Sequence, residues 1–412
     1  MTNIRKRNVL YILHTAQIGG AAKSFFLFLQ QIDTSSFNPI IWVGDDGPFA
    51  ESFRIKGFKV YVGGIASFEN TTHFQVNFSI DSVYMIFRFI INIIPTIIKM
   101  VTIIRREKID LVHINSSTPL LCGFISKLMK VKLIWHVREV FPDNGLKNIQ
   151  TRIIQYCSDA IIAISERVKK DFTKNQKIHV IYNPIDIAFH DKQFDSFAIK
   201  KEMNINPDVK IVGIVGQVLR VRGHFILLEA ARTVINKKDD VIFIVVGESP
   251  RGEKSKLKKI MKDLLIFICH KDFMKDDERL RVLINKYQLE KQFIMLGYRR
   301  EVDRLISIMD IVVCPNIAEE AFGRVMYEAG SQRKAIITSN LESFLETIND
   351  CVNGKLVEPN NPRELADAII QILSDDKNAQ LMGENLFRIV KERCEKKGQA
   401  ISIMQLYNGF AY

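Results

Sequence analysis

Short β-branched runs alternate along the chain with stretches in which apolar residues recur every three or four positions. RNVLYILH is followed by AAKSFFLFLQQI and NPIIWVG, and later come IDLVHINS, KLIWHVRE and DAIIAIS. The short runs suit strands and the longer period suits helices, so their alternation predicts parallel strands joined by crossover helices. The series breaks at VIYNPIDIAFHDKQFD, where Pro184 and mixed polarity interrupt it, and restarts with VKIVGIVGQ, DVIFIVVGE, FIMLGY, DIVVCPN and KAIITSN. The expected architecture is α/β: two doubly wound Rossmann-like domains facing across a cleft, at 1–190 and 205–385, with a boundary between 184 and 207. C-terminal helices at 386–412 are expected to return to the first domain. Ligands of such sheets bind beyond the carboxyl ends of the strands, so residues that follow each strand are the functional candidates.

One helical stretch breaks the pattern by its apolarity. VYMIFRFIINIIPTIIKMVTII, residues 83 to 104, is long enough to cross a bilayer. Arg88, Asn92, Thr96, Lys99, Thr102 and Arg106 recur every three or four residues and would form one polar stripe. Arg88 and Lys99 would lie within the span at a cost of about 2.5 to 3.5 kcal/mol each, which argues against it. The expected role is a mostly buried crossover helix, kinked at Pro95. The alternative is that its apolar face, with Arg105, Arg106 and Lys108 nearby, rests on an anionic membrane surface. KSKLKKIMKDLLIFI, residues 254–268, predicts a second amphipathic helix with a basic polar face.

Length and composition bound the rest. At 412 residues, with 47% hydrophobic and 25% charged, the chain has the make-up of a folded globular protein of two domains. The net charge of +12 favours anionic partners without choosing among them. Cys122, Cys157, Cys269, Cys314, Cys351 and Cys394 are scattered, which suits reduced thiols rather than a disulfide frame or zinc site. The basic start MTNIRKRNVLYILH has too short an apolar run for a signal peptide and reads as a first strand, so a cytoplasmic location is expected.

Two turns carry the candidate chemistry. In GIVGQVLRVRGHFILLEAA a strand runs into Gly213 and Gly216 and a helix begins after Gly223, with Arg220 and Arg222 at the same end. Such a turn lets backbone amides and a helix dipole meet a phosphate. Its spacing is neither that of a Walker loop nor of a GxGxxG fingerprint. In the second turn, DIVVCPN ends at Asn316 and a helix is expected from near Phe322. Glu320 then lies in the loop, Glu328 nearly two turns into the helix, and the amides of Gly323, Arg324 and Val325 form an anion site. A carboxylate accepts from paired hydroxyls, so the two glutamates suit a sugar and a ribose around a diphosphate.

EAFGRVMYEA resembles the EX7E signature of the retaining glycosyltransferases of family 4, the group 1 type, whose fold is GT-B. Further along the chain, VGQVLRVRGH resembles that family's phosphate-binding turn and VNGKLVEP its later NG segment. In the first half AQIGGAAKS resembles its glycine-rich first loop, while IDLVHINS, LIWHVRE and VIYNPID resemble further family stretches. The resemblance implies that Glu328 holds the ribose hydroxyls and Glu320 a hydroxyl of the transferred sugar. It implies main-chain contacts to sugar and diphosphate from Phe322, Gly323, Arg324 and Val325, and approach of the first loop through Gly19 and Gly20. Arg222 stands where the family has lysine and would neutralise the departing diphosphate; it keeps the charge but offers a planar fork. Gln217 beside Gly216 stands where arginine is frequent, and Arg220 is a candidate to compensate. His136 matches the histidine near the transferred sugar, and Tyr298 is placed to touch the base. His113 and Asn115 are equally acceptor contacts or structural residues.

The implied activity moves a hexose-type sugar from a UDP- or GDP-sugar to a glycan or lipid-linked acceptor, with retention, in cell-surface polysaccharide synthesis. His136, Arg222 and Glu320 would be the catalytic residues. No cofactor, metal or nucleic acid is expected, and Asp45-Asp46 and Asp276-Asp277 read as loop or helix-start residues. The protein would be cytoplasmic, with peripheral attachment to the inner face of the plasma membrane as the membrane alternative. Rival readings are a sugar-nucleotide epimerase, for which acid/base carboxylates near His136 are wanting, and a non-catalytic nucleotide-binding subunit of a membrane assembly.

Overall fold

The computed structural model describes residues 5–16, 19–67, 80–143, 145–173, 177–187, 194–249 and 274–410. The amphipathic stretch 254–268, Cys269, and Gln17 and Ile18 of the first loop lie outside them. The described chain forms two compact units, one of Met1–Asp186, Glu320–Phe322 and Arg393–Tyr412, the other of Ile187–Glu319 and Gly323–Glu392.

In the first unit the order is β1 (Arg7–Leu13), α1 (Gly20–Leu29), β2 (Phe37–Val43), α2 (Pro48–Ile55), β3 (Lys59–Val62) and α3 (Ile80–Arg106). It continues with β4 (Leu111–Ile114), α4 (Leu120–Leu128), β5 (Lys132–Val137), α5 (Gly145–Cys157), β6 (Ala160–Ala163), α6 (Glu166–Lys169) and β7 (Ile178–Val180). The strands make one sheet in the order β3-β2-β1-β4-β5-β6-β7, every pair parallel. The order reverses between β1 and β4, the position at which open sheets of this kind bind ligands.

The second unit contains α7 (Ser196–Glu202), β8 (Lys210–Val215), α8 (His224–Ile235), β9 (Val241–Val246), α9 (Asp276–Lys286), β10 (Phe293–Gly297), α10 (Val302–Ser307) and β11 (Ile311–Cys314). Then come α11 (Arg324–Ser331), β12 (Ala335–Ser339), α12 (Glu342–Leu345), β13 (Lys355–Val357), α13 (Pro362–Leu373) and α14 (Asp376–Cys394). Its sheet, also parallel, runs β10-β9-β8-β11-β12-β13 and reverses between β8 and β11. Local signals set its helices; α13, for example, opens on Asn361, whose side chain accepts from the Glu364 amide, with Pro362 next. Both sheets bear out the α/β, doubly wound reading of the alternating pattern.

The last helix, α15 (Lys396–Asn408), closes the core of the first unit. Ala400, Ile403 and Tyr407 are buried with Val9 and Tyr11 of β1 and with Phe25 and Phe28 of α1. Polar contacts fix it: Arg7 Nη1 donates to the Tyr407 carbonyl at 2.9 Å, Lys396 pairs with Asp186 at 3.1 Å, and the Ile185 amide donates to the Cys394 carbonyl.

The long apolar helix α3 departs from expectation. It runs through Pro95 as one element, and of Ile86–Arg106 only 17% is buried. Its polar stripe partly faces inward: the buried Thr96 hydroxyl receives the Ala66 amide at 2.7 Å and lies 2.8 Å from the Gly64 carbonyl, and Lys99 Nζ donates to the Val62 carbonyl. The Thr96 hydroxyl and the Lys99 ammonium satisfy backbone groups of residues 62–66, so the docked side carries these polar groups beside the buried Met100, Ile103 and Ile104. Ile86, Phe87, Ile90, Ile91, Ile94 and Ile98 face outward, Ile94 with 67% of its surface exposed. It is the one described helix long and apolar enough to cross a membrane by length and composition.

Candidate functional site

In the second unit, β8 leads to Gly216, whose φ of 137° suits glycine and whose amide donates to the Val246 carbonyl. Gln217 follows, exposed, and Arg220–Arg222 make one 3-10 turn. Gly223 then starts α8 in the left-handed conformation, φ 78°, with no side-chain cap. A Cβ on Gly223 would overlap the Pro315 carbonyl oxygen beyond β11. The Ile317 amide donates to the Val221 carbonyl at 2.9 Å, so the turns after the adjacent strands β8 and β11 are joined.

The second turn repeats the device. Gly323, φ 63°, starts α11, again without a side-chain cap, and a Cβ there would meet Phe344 Cε1 at 2.8 Å. The helix begins at Arg324 rather than near Phe322, because the left-handed glycine cannot be its first turn; Glu328 accordingly sits just past the first turn. Glu328 is 5% exposed, and its Oε1 receives Arg324 Nε at 2.9 Å, an i,i+4 pair along the helix. Glu320 is half-buried and groups with the first unit, as does Phe322, so the two glutamates fall in different units. The neighbouring Glu319 serves α12 instead, its two oxygens receiving the amides of Glu342 and Ser343 at the start of that helix. Val325 is half-buried on α11, and Tyr298, 40% exposed, follows the edge strand β10.

Arg220 is held by Asp276 of α9, whose Oδ2 receives its amide at 2.9 Å and whose other oxygen is 3.9 Å from the guanidinium. The guanidinium also lies over the Phe225 ring at 5.3 Å. Arg222 is half-buried. Asp277 starts the same helix, and its amide donates to Ser249. Of the other aspartate pair, Asp45 receives the Ala16 amide at 2.6 Å and Asp46 pairs with Arg54. Among the described residues no three His, Cys, Asp or Glu side chains gather in a metal-binding group, and the described cysteines are free thiols.

In the first unit Gly19 and Gly20 form the start of α1, exposed and without a side-chain cap. His136, the second-last residue of β5, is 1% exposed. Its Nδ1 lies 3.2 Å from His113 Nε2 and 3.5 Å from Arg138 Nη2, and its Nε2 is buried with no hydrogen-bond partner among the described residues. His113 Nδ1 is 2.7 Å from the Tyr407 hydroxyl, which is 3.2 Å from that of Tyr11. Arg138 donates through Nε to Asn115 Oδ1 at 2.7 Å and through Nη1 to Asn183 Oδ1. Burial, reinforced by the Arg138 charge, depresses both histidines, His113 to about 3 and His136 well below its ordinary range. His113 and Asn115 are thus interior partners of His136 and Arg138. The sequence reading misses Arg138 and Tyr407: the cation in HVRE just past a strand end is a signal for the first, and Tyr407 has none.

Two family descriptions match the chain, Glycosyltransferase Family 4 over residues 49–189 and Glycosyl transferases group 1 over 195–388. The N-acetyl-alpha-D-glucosaminyl L-malate synthase of Bacillus anthracis is 23% identical over 72% of this chain and 73% of its own. The capsular polysaccharide biosynthesis glycosyltransferase CapM of Staphylococcus aureus is 22% identical over 77% and 81%. In fold, the Anabaena protein Alr3699/HepE, solved with UDP and glucose, superposes with a TM-score of 0.76 at 20% identity, covering 98% of this chain and 99% of that one. The two matched segments follow one another along the chain, together take in most of it and include the turns after β4, β8 and β11, and the chain belongs to the group 1 glycosyltransferases, with the GT-B fold.

Proposed function

We propose that this glycosyltransferase moves a hexose-type sugar from a nucleotide diphosphate sugar to a glycan or lipid-linked acceptor, with retention and without a metal, in the synthesis of a cell-surface polysaccharide. The observation that carries this reading is the pair of helix N-termini, α8 and α11, each opened by a left-handed glycine and uncapped by any side chain, after the adjacent strands β8 and β11. Uncapped amides and helix dipoles favour a diphosphate. In this reading Arg222 and those amides stabilise the charge on the leaving diphosphate, Glu328 holds the ribose, Glu320 and His136 bear on the transferred sugar, and Gly19, Gly20, Gly216, Gln217 and Tyr298 complete the donor's surroundings.

UDP is the favoured donor base because the structural neighbour Alr3699/HepE was solved with UDP and glucose. The relatives' names point to different products, a glucosaminyl malate in one and a capsular polysaccharide in the other, so the acceptor is to be found by assay. A panel of UDP- and GDP-sugars tests the reading. Donor hydrolysis, or transfer to lipid-linked acceptors, is expected; neither with any member would overturn it.

The outward apolar face of α3 supports a peripheral position on the inner face of the plasma membrane. Arg105, Arg106 and Lys108 are exposed at its C-terminal end, where they suit anionic headgroups. Sedimentation with phosphatidylglycerol vesicles, and its loss on charge reversal of those three residues, is the expected result. Unchanged sedimentation of the variant, or association of the protein only with itself, would remove the membrane contact.

A further inference from the structure

Ser165 lies just past the carboxyl end of β6 and is fully buried. Its hydroxyl has one proton to give and lone pairs that receive, and both are used. The oxygen accepts the Val168 amide at 3.1 Å, which caps α6. The proton goes to a distant part of the chain: Oγ donates to the Ala321 carbonyl at 2.6 Å, 156 positions away. Ala321 follows Glu320 in the loop between β11 and α11, within the piece that groups with the first unit. The next residue, Phe322, is buried, its ring centroid 6.5 Å from that of Tyr182 just past β7. Capping α6 needs only an oxygen acceptor, which an aspartate would supply as well. The donor to Ala321 is what the hydroxyl adds.

We propose that Ser165 is a positioning residue for transfer: from the turn after β6 it anchors the Ala321 peptide and so holds the Glu320 carboxylate at the sugar being moved. This rests on the reading that Glu320 bears on that sugar. A loop residue has no ladder of backbone bonds to fix it, and a reacting geometry tolerates only about 0.5 Å of error. One peptide held by Ser165 and one ring beside Tyr182 supply that restraint directly after Glu320. Glu328, read as the ribose holder, belongs to the second unit. Ser165 therefore bears on the rate of transfer and not on the hold on UDP.

Three substitutions test the role, with whichever UDP- or GDP-sugar the panel selects. Ser165→Ala removes both cap and donor, Ser165→Gly removes the donor but leaves a residue that serves well at a helix start, and Ser165→Thr keeps both. Ser165→Ala and Ser165→Gly are each expected to lower kcat about tenfold, the scale of one lost hydrogen bond, with UDP affinity by calorimetry unchanged and Ser165→Thr near the parent. A loss in Ser165→Ala alone, or a fall in UDP affinity that matches the fall in kcat, overturns the proposal and leaves Ser165 a helix cap. In a Glu320→Ala background Ser165→Gly should cost nothing more, and an equal loss in both backgrounds overturns the proposal too. Hydrogen exchange of the Phe322 and Gly323 amides, read by mass spectrometry without substrate, is expected to quicken several-fold in Ser165→Gly; unchanged exchange overturns the anchoring. A normal kcat in Glu320→Ala overturns instead the reading that Glu320 bears on the sugar, and the exchange still reports whether Ser165 holds the loop.

Discussion

Glu328 is buried against Arg324, so what a substitution there reports depends on shape as much as charge. Glu328→Gln keeps the shape and is expected to weaken UDP binding about tenfold or more, the loss of a charged hydrogen bond, measured by calorimetry. Glu320→Gln, in the half-buried loop, should lower transfer and leave UDP affinity near that of the parent. Equal losses of affinity would contradict that division. The histidines predict a pH effect. His113, His136 and His224 are all depressed below 6.5 by burial, His224 to about 4. Below about pH 6.5 the unfolded chain takes up protons that the folded one refuses. Stability from these groups is therefore full above that pH and is lost on acidification, by about 1.4 kcal/mol per pH unit for each histidine. Urea midpoints measured between about pH 7 and 5 should fall, and His224→Asn should flatten the slope.

At the scale of elements, the turns after β8 and β11 are held by the close approach of Gly223 to Pro315. Gly223→Ala meets both a positive φ and that carbonyl, and is expected to cost about 3 kcal/mol or more in urea unfolding. Gly216→Ala faces strained φ but open space and should cost less. For α3, Thr96→Val leaves the Ala66 amide without its acceptor and is expected to destabilise by about 1 to 3 kcal/mol. Ile94→Ser on the outer face should leave the melting temperature alone. The two sheets are legible in the sequence because strand and helix periods are properties of neighbours along the chain. The orientation of α3 is not, since a polar stripe normally marks the solvent side, and here the acceptors and donors that Thr96 and Lys99 satisfy come from residues 62–66. The glycine turns are legible as turns, while the exact start of α11 depends on a backbone φ that residue type alone leaves open.

At the scale of the molecule, the first unit is assembled from distant pieces. Arg138 is findable from HVRE, but Tyr407 reaches His113 across 294 positions, and no local pattern carries such a contact. Removing residues 396–410 strips Ala400, Ile403 and Tyr407 from the core. Circular dichroism and limited proteolysis should then show loss of the first unit's cooperative unfolding while the second unit stays resistant. The same closure by α15 has a consequence for synthesis. The Tyr407 partner of Tyr11 is made 396 residues later, after every residue of the second unit has been joined to the chain. The part translated first is thus the part finished last: β1 and its neighbours wait as an open sheet until the final helix arrives, and a chaperone that protects nascent chains should find its longest-lived target in the amino-terminal half.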